Sequence, residues 1–177
     1  MSPAETTLIA VDGVNAGALK NTARTIAAAN RRRRPGVSLW GASGIFDELE
    51  FAEADAGVPS ARTLLLLYAA DLVFRLRWEI VPALEEGRLV IAAPYVTTAI
   101  AFGHAAGLDV AWLKDLFQFA PVAGERRWVD APPAKHVVER TGFVEFGWQR
   151  LEKRLGGITR AQLMDRTCRH LRAAARR

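Results

Sequence analysis

Residues 64–103, LLLLYAADLVFRLRWEIVPALEEGRLVIAAPYVTTAIAFG, carry the pattern that decides the fold. They open as a long apolar helix that we expect to run to about Glu86, with a kink at Pro82. A glycine ends that helix, and Leu89–Ala93 is then apolar without alternation. Such a run predicts a strand buried on both faces of a parallel sheet. Because Tyr95–Ala105 reads as another helix, the stretch predicts one helix–strand–helix unit of an α/β protein.

The sequence before this unit predicts two further strands, each followed by a helix. Strands are expected at Thr6–Val11 and Val37–Trp40, because both runs are short, apolar and followed by turn residues. An Ala-rich helix, Ala18–Asn30, follows the first strand, and an acidic helix, Ile45–Ala56, follows the second. Ser60 then stands where it would cap the long helix.

The sequence after the unit predicts a fourth strand among helices. The elements expected there are a helix at Val110–Phe119, a strand at Arg127–Asp130, a helix with Pro133 near its start, and a helix at Phe143–Leu155. Gly156 and Gly157 break the last of these. Thr159 and Gln162 have the spacing of a capping box, which predicts that a final helix begins there.

Alternation of strands and helices predicts an α/β fold with a parallel sheet of about four strands flanked by helices. The 177 residues suit a single domain, 1–177. Ligands of such sheets bind beyond the carboxyl ends of the strands. The functional site is therefore expected in the loops that begin at Asp12, Trp40, Ala93 and Asp130.

Composition bounds the partners and the compartment. The net charge is +5, much of it in Arg31–Arg34 and in the C-terminal tail. Because these clusters lack interleaved aromatic residues, solvated helix ends are favoured over nucleic-acid binding. No apolar run is long enough to cross a membrane. The single cysteine, Cys168, excludes an internal disulfide and suits a reducing compartment, so a cytoplasmic location is expected.

Three motifs within residues 64–103 are similar to those of the thymidylate kinase family. They resemble its Leu-Leu-Phe-x-Ala-x-Arg helix, its Pro-Ala-Leu-x-x-Gly helix ending, and its strand leading into Asp-Arg-Tyr. The stretches GLDVAWLKDLFQFA, 107–120, and WVDAPPAKHVVER, 128–140, resemble the family's next helix and next strand. The resemblance implies a three-layer P-loop kinase-like fold whose final strand is missing near Gly156. It also implies a homodimer, for which the helix Ser60–Glu86 could supply the surface.

The stretch VDGVNAGALKNT, 11–22, takes the place of the family's phosphate loop, Gly-x-x-Gly-x-Gly-Lys-Ser/Thr. Gly13 and Lys20 are seven positions apart, where that pattern needs six. Leu19 replaces the last glycine, and an asparagine stands where a hydroxyl would meet magnesium. The candidate nucleotide-binding residues of this degenerate loop are Gly13, Asn15, Gly17, Lys20, Asn21 and Thr22. The altered loop also favours Lys20 as an ordinary surface lysine.

Three positions where the family carries arginine near the phosphates hold other residues here. They are Trp40, Leu72 and Pro94, and Ala93 replaces the aspartate of Asp-Arg-Tyr. None of these side chains offers a charge for a phosphate or a metal. Because phosphoryl transfer depends on positioning and charge stabilisation, the loss of one such group commonly costs about 100- to 1000-fold in rate.

Two aromatic residues mark a substrate pocket by resemblance. Tyr68 matches the family aromatic that stacks on thymine, and Tyr95 matches the tyrosine after the lost Asp-Arg. Packing of both rings in the hydrophobic core is an equally good interpretation.

Other polar residues give weak signals. The histidines at 104, 136 and 170 lack ligand spacing, so no metal site is expected. The acidic residues of 47–55 suit a solvated helix face. Ser43 has no nearby histidine, which leaves a hydrolase without support.

The sequence thus favours a catalytically impaired thymidylate kinase-like protein with at most a weakened phosphate site. No catalytic residue and no certain cofactor are expected; ATP and Mg²⁺ would bind only if part of the site persists. One alternative is an active kinase that transfers phosphate from ATP to dTMP with substitute arginines. Those candidates are Arg126, Arg127, Arg140, Arg150 and Arg154. A second alternative is nucleic-acid binding through the arginine clusters.

Overall fold

Four parallel strands form the centre of the computed structural model, which describes residues 8–133 and 142–176. The strands are β1 (Leu8–Asp12), β2 (Gly36–Leu39), β3 (Val90–Ala93) and β4 (Glu125–Trp128). Their order is β2-β3-β1-β4, and each neighbouring pair is parallel. All four carboxyl ends therefore lie along one edge of the sheet. The predicted parallel α/β sheet of about four strands is confirmed.

Eight α-helices surround the sheet in the described ranges. They are α1 (Ala16–Ala29), α2 (Ile45–Ala56), α3 (Ala61–Arg75), α4 (Val81–Glu85), α5 (Val96–Ala105), α6 (Val110–Leu116), α7 (Phe143–Leu151) and α8 (Arg160–Ala175). A π-helical segment, Leu76–Ile80, joins α3 to α4. Pro82 has no N–H to donate, which explains why the helical hydrogen-bond pattern changes in the turn before it. The sequence predicted a kink at Pro82 itself.

The helices lie on both faces of the sheet. On one face Ile9 and Val11 of β1 pack with Leu19 of α1. On the other face Leu8 and Ala10 pack in a larger core that α3, α5, α7 and α8 complete. The strand alternation explains the division, because successive side chains of β1 point to opposite faces. The three-layer arrangement expected from the resemblance is thereby confirmed.

Local signals in the sequence set several helix ends. The hydroxyl of Ser60 accepts a hydrogen bond from the N–H of Thr63 at 3.1 Å, as its predicted capping role requires. Thr159 and Gln162 form the expected capping box at the start of α8. Gly87 ends α4 with a φ of +69°, a conformation that glycine adopts without strain.

Several element bounds differ from the prediction, and α1, for instance, begins at Ala16 rather than Ala18. β4 begins at Glu125, two residues before the predicted Arg127, because this strand at the border of the sheet carries charged rather than apolar side chains. The helices predicted to reach Phe119 and Leu155 end at Leu116 and Leu151. The second of these continues only as a short 3-10 turn. The helix predicted after Pro133, with His136 and Arg140, lies outside the described residues, as does Thr6 of the first strand.

Candidate functional site

The connection from β1 to α1 is short. Only Gly13, Val14 and Asn15 separate the strand from the helix. Asn15 caps α1, because its Oδ1 accepts from the N–H of Ala18 at 2.9 Å, while its Nδ2 donates to the carbonyl of Pro132 at 2.7 Å. A phosphate loop needs a wide turn of converging backbone N–H groups. Three residues form a tight turn instead, and one N–H of the first helical turn is already bonded.

The predicted phosphate-site residues are spread over this turn and α1. Gly13 and Asn15 lie in the turn, whereas Gly17, Lys20, Asn21 and Thr22 lie within the helix. Lys20 is the fifth helical residue and is exposed to solvent. Gly13 is packed closely, since a Cβ there would lie 3.0 Å from the carbonyl oxygen of Val129. The structure therefore brings Gly13 and Asn15 together and places Lys20 one helical turn further along.

A buried carboxylate occupies the end of β1. Oδ1 of Asp12 accepts from the N–H of Tyr95 at 3.1 Å and from both the N–H and the hydroxyl of Thr98, at 2.9 and 2.7 Å. The Thr98 hydroxyl oxygen in turn accepts from the N–H of Gly13 at 3.1 Å. Burial raises the pKa of Asp12, and the hydrogen bonds from Thr98 and Tyr95 oppose that rise. This network ties the β1–α1 turn to the start of α5.

A second buried network lies beyond β2. Asp71 and Arg75, one helical turn apart on α3, form an ion pair at 3.0 Å with no exposed side-chain surface. The same carboxylate accepts from the N–H groups of Gly41 and Ser43, both at 3.1 Å. Arg75 also donates to the carbonyl of Pro94 at 3.2 Å. The charges of this network are therefore bonded to the chain itself rather than facing an open cleft.

Aromatic rings close the space between these networks. Trp40 packs edge-on against Phe46, Phe143 and Phe146, with ring centroids 5.0 to 5.9 Å apart. Phe143, from α7, also lies 4.4 Å from the ring of Tyr68. We call this group of five residues the aromatic plug.

The two predicted pocket tyrosines are both bonded internally. Tyr68 is fully buried, and its hydroxyl donates to the carbonyl of Tyr95 at 2.9 Å. The Tyr95 hydroxyl donates to the carbonyl of Pro121 at 2.8 Å. Burial raises the pKa of Tyr68, and it raises the pKa of Tyr95 to about 12. Both hydroxyls remain protonated donors at neutral pH.

The positions that lost arginine lie in the same region. Leu72 is completely buried, Pro94 is buried, and Trp40 belongs to the aromatic plug. Sequence reasoning missed Arg75. This residue lies about one turn after Leu72 on α3, and its guanidinium lies beside Pro94. The Asp71–Arg75 spacing of four residues was a usable signal.

The candidate substitute arginines point to several places. Arg150 of α7 forms ion pairs with Glu50 at 3.0 Å and Glu53 at 2.9 Å. Arg127 pairs with Glu125. Arg154 donates to the carbonyl of Val58 at 2.9 Å. Arg126 borders a cavity on another side of the molecule, and Arg140 is outside the described residues.

Two histidines that are distant in sequence meet in the fold. The rings of His104 on α5 and His170 on α8 stack at 3.9 Å, which the sequence spacing did not reveal. Across residues 8–133 and 142–176, no three His, Cys, Asp or Glu side chains are grouped so that they could hold a metal ion. The same ranges contain no helix long and apolar enough to span a bilayer.

The comparisons with known proteins bear on the family resemblance and the fold. No family model matches the chain. The chain is 37% identical over 76 residues to a probable thymidylate kinase of Pyrococcus abyssi, and 40% identical over 85 residues to one of Thermococcus gammatolerans. These matches cover 43% and 48% of this chain but only 37% and 36% of the relatives' own lengths.

A solved structure shows the same fold. The thymidylate kinase from Ehrlichia chaffeensis matches with a TM-score of 0.62 at 12% identity, over 96% of this chain and 84% of that one. The parallel sheet with helices on both faces thus has the P-loop kinase-like α/β fold of that structure. Within that class the chain is thymidylate kinase-like, as the sequence motifs indicated.

Proposed function

We propose that this chain is a catalytically impaired relative of the thymidylate kinases, which uses the fold for binding or assembly rather than phosphoryl transfer. The observation that carries the proposal is that, among the described residues, the polar and aromatic side chains at this edge of the sheet bond to or pack against one another. Asp12 is bonded to Thr98 and Tyr95, and Phe143 of the aromatic plug packs against Tyr68. A triphosphate with Mg²⁺ needs donors and a metal-binding oxygen that face open space.

The positions of the arginines support this proposal over an active kinase. Arg150 lies 3.5 Å from the ring of Phe146 and is held by Glu50 and Glu53, so its charge is already matched. Arg75 is bonded to Asp71 within the core. Recruiting either guanidinium to a phosphate would leave a buried or half-buried carboxylate without its partner.

The test is a coupled assay with ATP, Mg²⁺ and dTMP, run beside the Ehrlichia chaffeensis thymidylate kinase as a positive control. We expect no turnover above the rate without protein. Melting curves with 1 mM ATP and Mg²⁺ give a second readout. A ligand present at its dissociation constant would raise the melting temperature by about 1 °C, and we expect less than that. Turnover that is lost in Lys20→Ala would overturn the proposal.

We further propose a homodimer formed through α3 and α4. The observation in favour is a stripe of exposed apolar side chains along one side of α3, the π-helical segment and α4: Leu66, Val73, Phe74, Trp78 and Val81. Apart from the adjacent pair Val73 and Phe74, their successive spacings of three, four and seven residues place them on one side of the helical stretch. Trp78 is 66% exposed in the single chain, which leaves a large apolar surface in the solvent.

Light scattering after gel filtration checks the dimer. The wild type should have twice the mass of the chain, and Trp78→Glu should have the monomer mass. The matched control is Phe51→Glu on α2, since Phe51 is 77% exposed but lies off the stripe. A monomeric wild type would rule out the dimer.

With Cys168 as its only cysteine, the protein is proposed to act in the cytoplasm.

A further inference from the structure

A cavity of about 480 Å³ lies along the side of α5 that faces away from the aromatic plug. Helices α5, α6 and α8, the loop before β4, and β4 itself form its walls. We call it the basic cavity, because the titratable side chains that line it are His104, Lys114, Arg126 and His170, with Tyr95 at its border. Among the residues that the structure describes, no acidic side chain lines it.

The strand register explains why Arg126 faces this cavity without a carboxylate partner. Arg126 lies opposite Ala10 of β1, so its side chain shares the sheet face of Ala10. Its neighbours Glu125 and Arg127 point to the other face and pair with each other. Within the described ranges, neither Arg126 nor Lys114 has an ion-pair partner.

Apolar side chains form the rest of the wall. Val96 and Ile100 stand on successive turns of α5, and Phe117 and Val122 lie across from them. Small-molecule sites are concave, mostly apolar, and hold a few convergent polar groups. The basic cavity has this composition and is within the size range of about 300–1,000 Å³ typical of such sites.

The stacked histidines add hydrogen-bonding groups at one end. Burial, and to a smaller extent His104 and Arg169, lower the pKa of His170. A cation would meet Lys114 and Arg126, which repel it. An anion would be attracted to both.

We propose that the basic cavity binds a small amphipathic anion, a phosphate monoester or a carboxylate with a hydrocarbon or aromatic body. The charged end lies against Lys114 and Arg126, and the body lies against Val96, Ile100 and Phe117. This site is independent of the proposed loss of kinase activity, because it uses the opposite side of α5 from Thr98 and Phe102. The result of the kinase assay therefore neither supports nor contradicts the proposed anion site.

Calorimetry with four probes tests the pocket: 1-naphthyl phosphate, decanoate, inorganic phosphate and 1-naphthol. At least one of the first two should bind with a dissociation constant below about 1 mM, a free energy beyond about −4 kcal/mol. The last two, which carry only the charge or only the ring, should bind at least about tenfold more weakly. Binding of naphthyl phosphate alone identifies a phosphate ester as the ligand class, and binding of decanoate alone identifies a carboxylate.

Matched variants locate the binding. Arg126→Ala should weaken the binding of the better probe by about tenfold or more, as expected for the loss of one charge-assisted contact. Arg24→Ala is the control, because Arg24 is an exposed arginine on α1, across the sheet. The histidine ring signals of His104 and His170 should also shift during an NMR titration of the wild type. The proposal fails if neither amphipathic probe binds, if inorganic phosphate binds as tightly, or if both variants weaken binding equally.

Discussion

The two sides of α5 border opposite environments. On one side, Thr98 and Phe102 face a region in which polar groups bond to each other and Phe143 of the aromatic plug packs against Phe102. On the other side, Ile100 and His104 face an open cavity whose two cations, Lys114 and Arg126, lack a carboxylate among the described residues. The comparison teaches that a ligand site depends on which polar groups remain unsatisfied. The fold alone does not determine it, because one helix contributes to both regions.

The largest expected effect separates a buried from an exposed ion pair. Asp71→Ala leaves Arg75 charged within the core, and we expect a loss of about 3–5 kcal/mol in the free energy of unfolding. The matched control is Asp165→Ala on α8, which removes the same kind of pair with Arg169, also four residues apart but more than 60% exposed. That change should cost under about 1 kcal/mol. Equal losses in urea denaturation would contradict the inference that the Asp71–Arg75 pair is closed off from solvent.

A smaller loss is expected where α7 meets α5. A Cβ on Gly147 would lie 2.4 Å from the ring of Phe102, so Gly147→Ala must displace a buried aromatic ring. We expect about 1–3 kcal/mol of destabilisation in urea melts. Gly17→Ala is the control, since a Cβ there has its nearest neighbour at 3.5 Å and the position is helical. That variant should be neutral or more stable by up to about 1 kcal/mol. A neutral Gly147→Ala would show that this packing is loose.

The carboxylate of Asp12 predicts a pH dependence. Its pKa in the folded protein is above the ordinary value of 3.8, because burial disfavours the charge. The folded state therefore binds this proton more tightly, and its contribution to stability is lost as pH rises from 3.8 through the folded pKa. Asp12→Asn removes this titration, so its stability relative to wild type should increase with pH over that interval. Denaturation of both proteins from pH 4 to 8 measures it, and a constant difference would contradict it.

The smallest expected effect is at Arg126. Its side chain is exposed and unpaired within the described ranges, so Arg126→Ala should change the free energy of unfolding by no more than about 0.5 kcal/mol. Arg150→Ala should cost more, because it leaves Glu50 and Glu53 without their cation. Comparable losses in thermal melts would show that Arg126 supports the fold.

Sequence patterns predicted the strands and helices well, because buried apolar residues recur in them at regular spacing. The unbroken apolar run before Ala93 gave β3, and the residues around Ser60 and Thr159 gave two helix starts. The start of β4 was predicted two residues too late, because a strand at the border of the sheet with charged side chains has the composition typical of a loop. The motifs of the resemblance selected Tyr68 and Tyr95 as neighbours. In the structure the two residues are joined by a hydrogen bond within the core.

The candidate site was harder to predict, because its contacts join distant parts of the chain. Nothing near Phe143 in the sequence indicates that its ring packs on Tyr68. His104 and His170 meet only because α5 packs along α8. The pairing of Asp71 with Arg75 was within reach of sequence reasoning, but its bonds to Gly41 and Ser43 were not.

Those bonds to Gly41 and Ser43 have a mechanical consequence. The turn after β2 is anchored from beneath by a charged side chain of α3, so it cannot swing outward without exposing both Asp71 and Arg75 to the solvent. A surface turn is usually among the first parts of a protein to open. This one should instead behave as a rigid corner, with amide hydrogens of Gly41 and Ser43 that exchange as slowly as those of the neighbouring strands.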